Sequence, residues 1–80
     1  MKLDALKKYI SMGREIEFSY QREQYSITYS FENDVQTISF CRFGQLCTDF
    51  GTIDDFISCA MINDEYLRDV LSLIEDVVIY

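Results

Sequence analysis

The sequence contains no histidine, no proline and no tryptophan, and only three glycines and three cysteines. Histidine is the side chain whose ordinary pKa lies nearest neutrality, so the Ser/His/Asp and Cys/His nucleophile systems cannot be assembled within this one chain. Without proline, and with so little glycine, the composition is not that of a linker or a disordered tract. Gly13, Gly44 and Gly51 are scattered, which leaves neither a Walker loop nor a GxGxxG turn. Cys41, Cys47 and Cys59 form no CxxC pair, and a zinc site built on them would need a carboxylate or a second chain as its fourth ligand. We therefore expect three reduced thiols, no metal and no cofactor. No apolar run approaches the roughly 18 residues of a membrane span. The cluster Lys2, Asp4, Lys7 and Lys8 breaks any signal-like apolar stretch near the start. The expected setting is the cytoplasm, without a membrane.

What is present is apolar and aromatic. The chain has 80 residues, of which 49% are hydrophobic, with six Tyr and six Phe. Each ring can bury about 150–250 Å², so a single domain over residues 1–80 can hold a core despite its small size. Leu3, Leu6 and Ile10 recur at helical spacing, with Asp4 in the first turn and Lys7 and Lys8 near the end, as the helix dipole favours. This predicts a first helix over about residues 3–12, closed by Gly13 in the left-handed conformation.

The pattern then changes to period two. Ile16, Phe18 and Tyr20 share one face of a strand, and Tyr25, Ile27, Tyr29 and Phe31 share one face of the next. A four-residue loop Gln21–Gln24 would set Tyr20 against Tyr25, Phe18 against Ile27 and Ile16 against Tyr29. A turn around Glu32-Asn33-Asp34 leads to a third strand, where Ile38 and Phe40 oppose Tyr29 and Ile27. The other face would show Glu15, Glu17, Ser19, Ser26, Thr28, Ser30, Thr37, Ser39 and Cys41, which reads as a solvated surface or as a flat docking or dimer surface. Residues 43–51 read as a loop or a short fourth strand. Thr52-Ile53-Asp54-Asp55 resembles a capping box ahead of a second helix carrying Ile53, Phe56, Ile57 and Ala60. Asn63 would cap a third helix with Leu67, Val70, Leu71 and Ile74 on its core face, and Val77–Tyr80 could add a short terminal strand. The expected class is α+β: a helix, a three-stranded antiparallel meander and two C-terminal helices.

Charge is distributed unevenly. Residues 1–48 hold as many acids as bases, whereas residues 49–80 hold Asp49, Asp54, Asp55, Asp64, Glu65, Asp69, Glu75 and Asp76 against Arg68 alone, so the net −7 lies in the last part of the chain. Helix dipoles and capping account for Asp54, Asp55, Asp64 and Glu65 in expected first turns, at about 0.3–1 kcal/mol each. Asp64 and Arg68 would also pair at i,i+4, whereas Glu65 and Asp69 would repel at that spacing. Glu75 and Asp76 would stand at the end of the third helix, where anions are disfavoured. Acids placed against local preference point to an external partner or to solubility.

Adjacent carboxylates such as Asp54/Asp55 or Glu75/Asp76 diverge by about 100° on a helix and cannot share a proton. The Asp49-Phe50-Gly51 tripeptide lacks every other kinase element. The reading is therefore not an enzyme. The few bases are matched by acids, which argues against direct nucleic-acid binding.

The run Gly13-Arg14-Glu15-Ile16-Glu17-Phe18-Ser19-Tyr20, followed by Tyr25-Ser26-Ile27 and Ile38-Ser39-Phe40-Cys41, resembles a group of small uncharacterised bacterial and phage-type proteins over the first half of the chain. That resemblance implies a helix and meander and no activity. In size, acidity and element order the chain also resembles anti-CRISPR and anti-restriction inhibitors, which implies a carboxylate surface that occupies a basic, nucleic-acid-reading groove. The expectation is a non-enzymatic inhibitor or adaptor docking its acidic C-terminal helices on a basic protein, a nucleic-acid-handling enzyme among the candidates. Asp69, Glu75 and Asp76 would lead the contacts, with Asp49, Asp54, Asp55, Asp64 and Glu65 alongside. The alternative is a homodimeric structural or regulatory module assembled through the sheet face or a free strand edge.

Overall fold

The period-two stretch folds as a twisted antiparallel sheet in the computed structural model, which describes residues 1–80 throughout. Helix α1 (Leu3–Ser11) leads into β1 (Ile16–Tyr20), β2 (Glu23–Glu32) and β3 (Val35–Arg42). A short β4 (Thr48–Phe50) and α2 (Ile53–Cys59) follow, then a tight hairpin of β5 (Met61–Ile62) and β6 (Glu65–Tyr66). A one-turn helix α3 (Leu67–Val70) and a 3₁₀ turn (Leu71–Leu73) deliver the chain to β7 (Glu75–Ile79). The strand order is β4-β3-β2-β1-β7, antiparallel throughout. The α+β class fits, but the three-stranded meander is too narrow. The sheet has five strands, because β4 and β7 extend it on either side.

The turns set the register. Gln21 and Arg22 both have positive φ, as do Asn33 and Asp34, so each hairpin closes on two residues with the twist that antiparallel strands prefer. The shorter first loop slides β2 by two residues relative to the four-residue expectation. Phe18 therefore faces Tyr25 and Ile16 faces Ile27. A slip of two leaves every side chain on its expected face. Tyr29 against Ile38 and Ile27 against Phe40 match the sequence reading.

The expected third helix is overturned. Asn63 and Asp64 are not at a helix start; both have positive φ and form the turn of the β5–β6 hairpin. That hairpin is closed by the Leu67 amide donating to the carbonyl of Ala60 at 2.9 Å, and its Ile62 is buried. The helical spacing of Leu67, Val70, Leu71 and Ile74 did identify core residues, since all four are buried. Leu67 and Val70 reach the core from one helical turn, Leu71 from a 3₁₀ turn and Ile74 from the extended residue after it, rather than from one continuous helix. Glu75 and Asp76 consequently stand on strand β7 and not at a helix end. Elsewhere the local signals hold. The Thr52 hydroxyl caps α2 by accepting from the Asp55 amide at 3.0 Å. Gly13, with φ +71, ends α1.

All the helices cover one sheet face. Phe18, Tyr25 and Phe40 stack with centroids 5.5–6.2 Å apart. Phe56 of α2 is fully buried and meets Phe40 and Phe50 edge-on at 5.9 and 5.5 Å. Leu6 and Ile10 of α1 complete the layer with Ile16 and Ile27.

The expectation of three free thiols is also corrected. Cys41 and Cys47 lie directly across the β3–β4 turn, one position beyond the Phe40–Thr48 pair, and are joined by a disulfide with Cα atoms 4.2 Å apart. A cross-strand pair of Cβ atoms on one face brings the two sulfurs within bonding reach. Cys59 alone is free, and it is exposed. Thiol titration of the folded chain without reductant should therefore count one reactive cysteine, rising to three after reduction and unfolding. Closing so short a loop contributes about 2 kcal/mol by chain entropy, so the double variant Cys41→Ser/Cys47→Ser should unfold earlier in urea by that amount. Three titratable thiols before reduction would contradict the bridge.

Candidate docking face

Because every helix lies on one side, the opposite face of the sheet is uncovered. The register builds it in rows. Val78, Glu17, Ser26 and Cys41 form one row across β7, β1, β2 and β3. Thr28, Ser39 and Asp49 form the next, with the Ser39 hydroxyl donating to Asp49 Oδ1 at 2.7 Å. Glu75, Ser19 and Gln24 form a third on the other side. The alternation that places Glu17 and Ser19 here also includes Glu15, which is exposed just before β1.

Charge on this face has one sign. Its acids are Glu15, Glu17, Glu32, Asp49, Glu75 and Asp76, and none of the residues that the register assigns to it is Lys or Arg. Lys7 and Lys8 lie on α1 and Arg68 on α3, on the helical side. Arg42 pairs with Glu23 at 3.0 Å, and Arg14 donates from Nε to the Tyr80 carbonyl at the β1–β7 margin. Asp49 on β4 and Glu17 on β1 are three strand spacings apart, about 14 Å. Between these acidic margins runs a strip of uncharged Ser and Thr.

The β7 margin is shaped by a bulge. Glu17 pairs with Val78, but Ser19 pairs with Glu75, so β7 spends one extra residue over the same interval. Asp76 absorbs the irregularity with φ +52, a left-handed conformation that Asp tolerates better than most residues. Beside the displaced strand lies a shallow groove of about 320 Å³, whose lining includes Glu17, Gln24, Phe43, Asp76, Val78 and Tyr80. Phe43 comes from the β3–β4 turn and is anchored by its amide donating to the Gln24 carbonyl at 2.9 Å. Gly44, with φ +80, lets the chain reverse there.

Tyrosines report the local field. Tyr80 donates its hydroxyl to Glu17, and its pKa is raised by that bond first, then by partial burial and by the charges of Glu17 and Glu15. Tyr29 donates to the Arg14 carbonyl at 2.7 Å, and burial followed by the charge of Glu15 pushes its pKa up to about 12. On the helical side, burial raises Tyr20, helped by its 3.0 Å hydrogen bond to Glu65.

The acids marked by sequence are thus divided. Asp49, Glu75 and Asp76 belong to the open face and its margins. Asp54 and Asp55 occupy the first turn of α2, Asp64 the β5–β6 turn, and Glu65 is engaged by Tyr20. Asp69 lies on α3, 4.0 Å from its neighbour Arg68. Asp64 and Arg68 share no helix, so their expected i,i+4 pairing does not form, nor does the Glu65–Asp69 repulsion. Sequence reasoning placed Glu17 on the face read as a solvated, docking or dimer surface but not among the acidic contacts, since it counted in the charge-balanced first half. It also missed Phe43, Val78 and Tyr80. Only the pairing of β7 beside β1 brings them together. No group of three or more Cys, Asp or Glu side chains is arranged to hold a metal ion, and no helix is long and apolar enough to cross a membrane. Comparison with protein-family models, with curated proteins and with solved structures returns no match.

The Tyr29 shift has a measurable consequence. Folded Tyr29 holds its proton up to about pH 12, whereas the unfolded side chain releases it near pH 10. The folded state binds this proton more tightly, so the associated stability is complete below about pH 10 and is lost as pH rises toward 12. Tyr29→Phe should flatten this alkaline decline in urea-unfolding free energy while costing about 1 kcal/mol at neutral pH from the lost hydrogen bond. An unchanged alkaline slope in the variant would assign the decline to other groups.

Proposed function

We propose that this chain is a non-enzymatic protein-binding module. It docks the acidic open face of its sheet on a basic protein surface of the kind that handles nucleic acid, and so inhibits by exclusion. The observation that carries the reading is the segregation of charge: Glu15, Glu17, Asp49, Glu75 and Asp76 on an uncovered face without Lys or Arg. Such a field speeds encounter with a cationic surface and opposes nucleic acid itself. Flat rows of Ser and Thr lose little side-chain entropy on contact. The likeness in size and acidity to anti-CRISPR and anti-restriction inhibitors points the same way. The docking surface is moved from the C-terminal helices to the sheet, because Glu75 and Asp76 lie on β7.

Capture of basic proteins from lysate at low and high salt supplies the target. Two double variants then locate the surface. Asp49→Lys/Glu75→Lys alters the open face outside the groove, and Asp54→Lys/Asp55→Lys alters α2. The first should weaken binding to the captured protein by about 100-fold and reduce its salt dependence, and the second should leave it nearly unchanged. The reverse ranking would return the contact to the helices.

A second reading is favoured by the outer edge of β7. No strand covers it, and Val77 and Val78 are exposed there, so a second copy could extend the sheet. Sedimentation showing a dimer whose population is insensitive to salt would favour that module over the inhibitor.

A further inference from the structure

We propose that the groove at the β7 bulge is the anchor point of this docking face and takes an arginine side chain of the partner protein. The inference rests on the docking reading above and specifies what the face grips. Three features of the groove converge on a guanidinium. First, its lining includes the acids Glu17 and Asp76, supplied by strands held side by side. Two carboxylates at one site match the several N–H donors of a planar guanidinium, and each charge-assisted hydrogen bond is stronger than a neutral one. Second, Phe43 and Tyr80 line the same groove. Aromatic faces stack with a guanidinium, and its weak hydration lowers the cost of taking it out of water. A lysine ammonium is more strongly hydrated and cannot stack as a plane. Third, the groove is open and shallow, about 320 Å³, which suits one long side chain presented from a surface and not an enclosed small molecule.

The groove is also built in place. Asp76 holds its position through a left-handed backbone conformation within a paired strand. The Phe43 amide donates to the Gln24 carbonyl, and Phe43 lies within the loop closed by the Cys41–Cys47 disulfide. The Tyr80 hydroxyl already occupies one lone-pair direction of Glu17 Oε1, which orients that carboxylate before any partner arrives. Preorganised groups of this kind lose less entropy on binding.

The test is a pair of capped peptides of equal length and charge, one presenting arginine and one lysine, titrated into the full chain at low ionic strength with amide shifts recorded. The arginine peptide should shift the amides of Glu17, Phe43, Asp76 and Val78 first, and it should bind several-fold more tightly than the lysine peptide. Glu17→Gln and Asp76→Asn should each weaken the arginine peptide about tenfold, and Phe43→Leu should erase most of the preference for arginine over lysine. Unchanged circular dichroism in these conservative variants keeps the result interpretable. Equal affinity for both peptides would overturn the arginine assignment. Shifts confined to Thr28, Ser39 and Asp49, with Glu17→Gln neutral, would overturn the groove while leaving the docking face standing. Absence of binding by either peptide would overturn both.

Discussion

Phe56 meets Phe40 and Phe50 edge-on at the centre of the chain's single apolar layer, and that layer exists on one side of the sheet only. Strict alternation along β1, β2 and β3 places Ile16, Phe18, Tyr20, Tyr25, Ile27, Ile38 and Phe40 on the same face. In so small a domain there is apolar surface for one core and no more. Every helix must therefore pack on that face, and the other is left to water. The uncovered sheet is a consequence of this constraint. So is the polarity of its residues, since a buried position there would demand partners for Ser, Thr and carboxylate groups that nothing supplies.

The same constraint explains how charge comes to be sorted. Residues on the solvent side of a strand or beside it can be acidic without disturbing the core, and Glu15, Glu17, Asp49, Glu75 and Asp76 occupy such places. They come from three separate stretches of sequence, and β7 reaches β1 only after the chain has traversed α2, the β5–β6 hairpin and α3. Each acid alone reads as an ordinary solvated residue. Their joint field is a tertiary property. Like charges gathered on one face oppose folding slightly, so some other advantage must retain them, either solubility or a cationic partner.

Legibility in the sequence follows the range of the interactions involved. The ending of α1 at Gly13 and the capping of α2 by Thr52 depend on neighbours within a few residues, and local chemistry reveals both. The faces of β1 to β3 were legible because period two is insensitive to a slip of two residues, even though the Gln21-Arg22 turn carries no glycine to announce its type. Asn63 misled because the same side chain suits a helix cap and a left-handed turn equally well. Four buried residues at helical spacing then made the helix reading self-consistent. The Cys41–Cys47 bridge was hidden because the sequence left residues 43–51 undecided between loop and strand; only β4 in register with β3 brings the two Cα atoms to 4.2 Å.

The bulge at Asp76 lies furthest from sequence view and matters most for the candidate site. A glycine there would have marked a left-handed position, but an aspartate next to a glutamate reads as acidic surface. Aspartate at this point does two things that glycine cannot do together. It accepts the left-handed backbone at modest cost, and it adds an acid to the lining of the groove that includes Glu17. A continuous β7 ladder would hold Val78 and Tyr80 in regular register against β1, with no extra residue to open space between them. The irregularity in pairing and the placement of a carboxylate beside the groove are thus one feature of β7, because the residue that takes the left-handed conformation is the one that lines the opening.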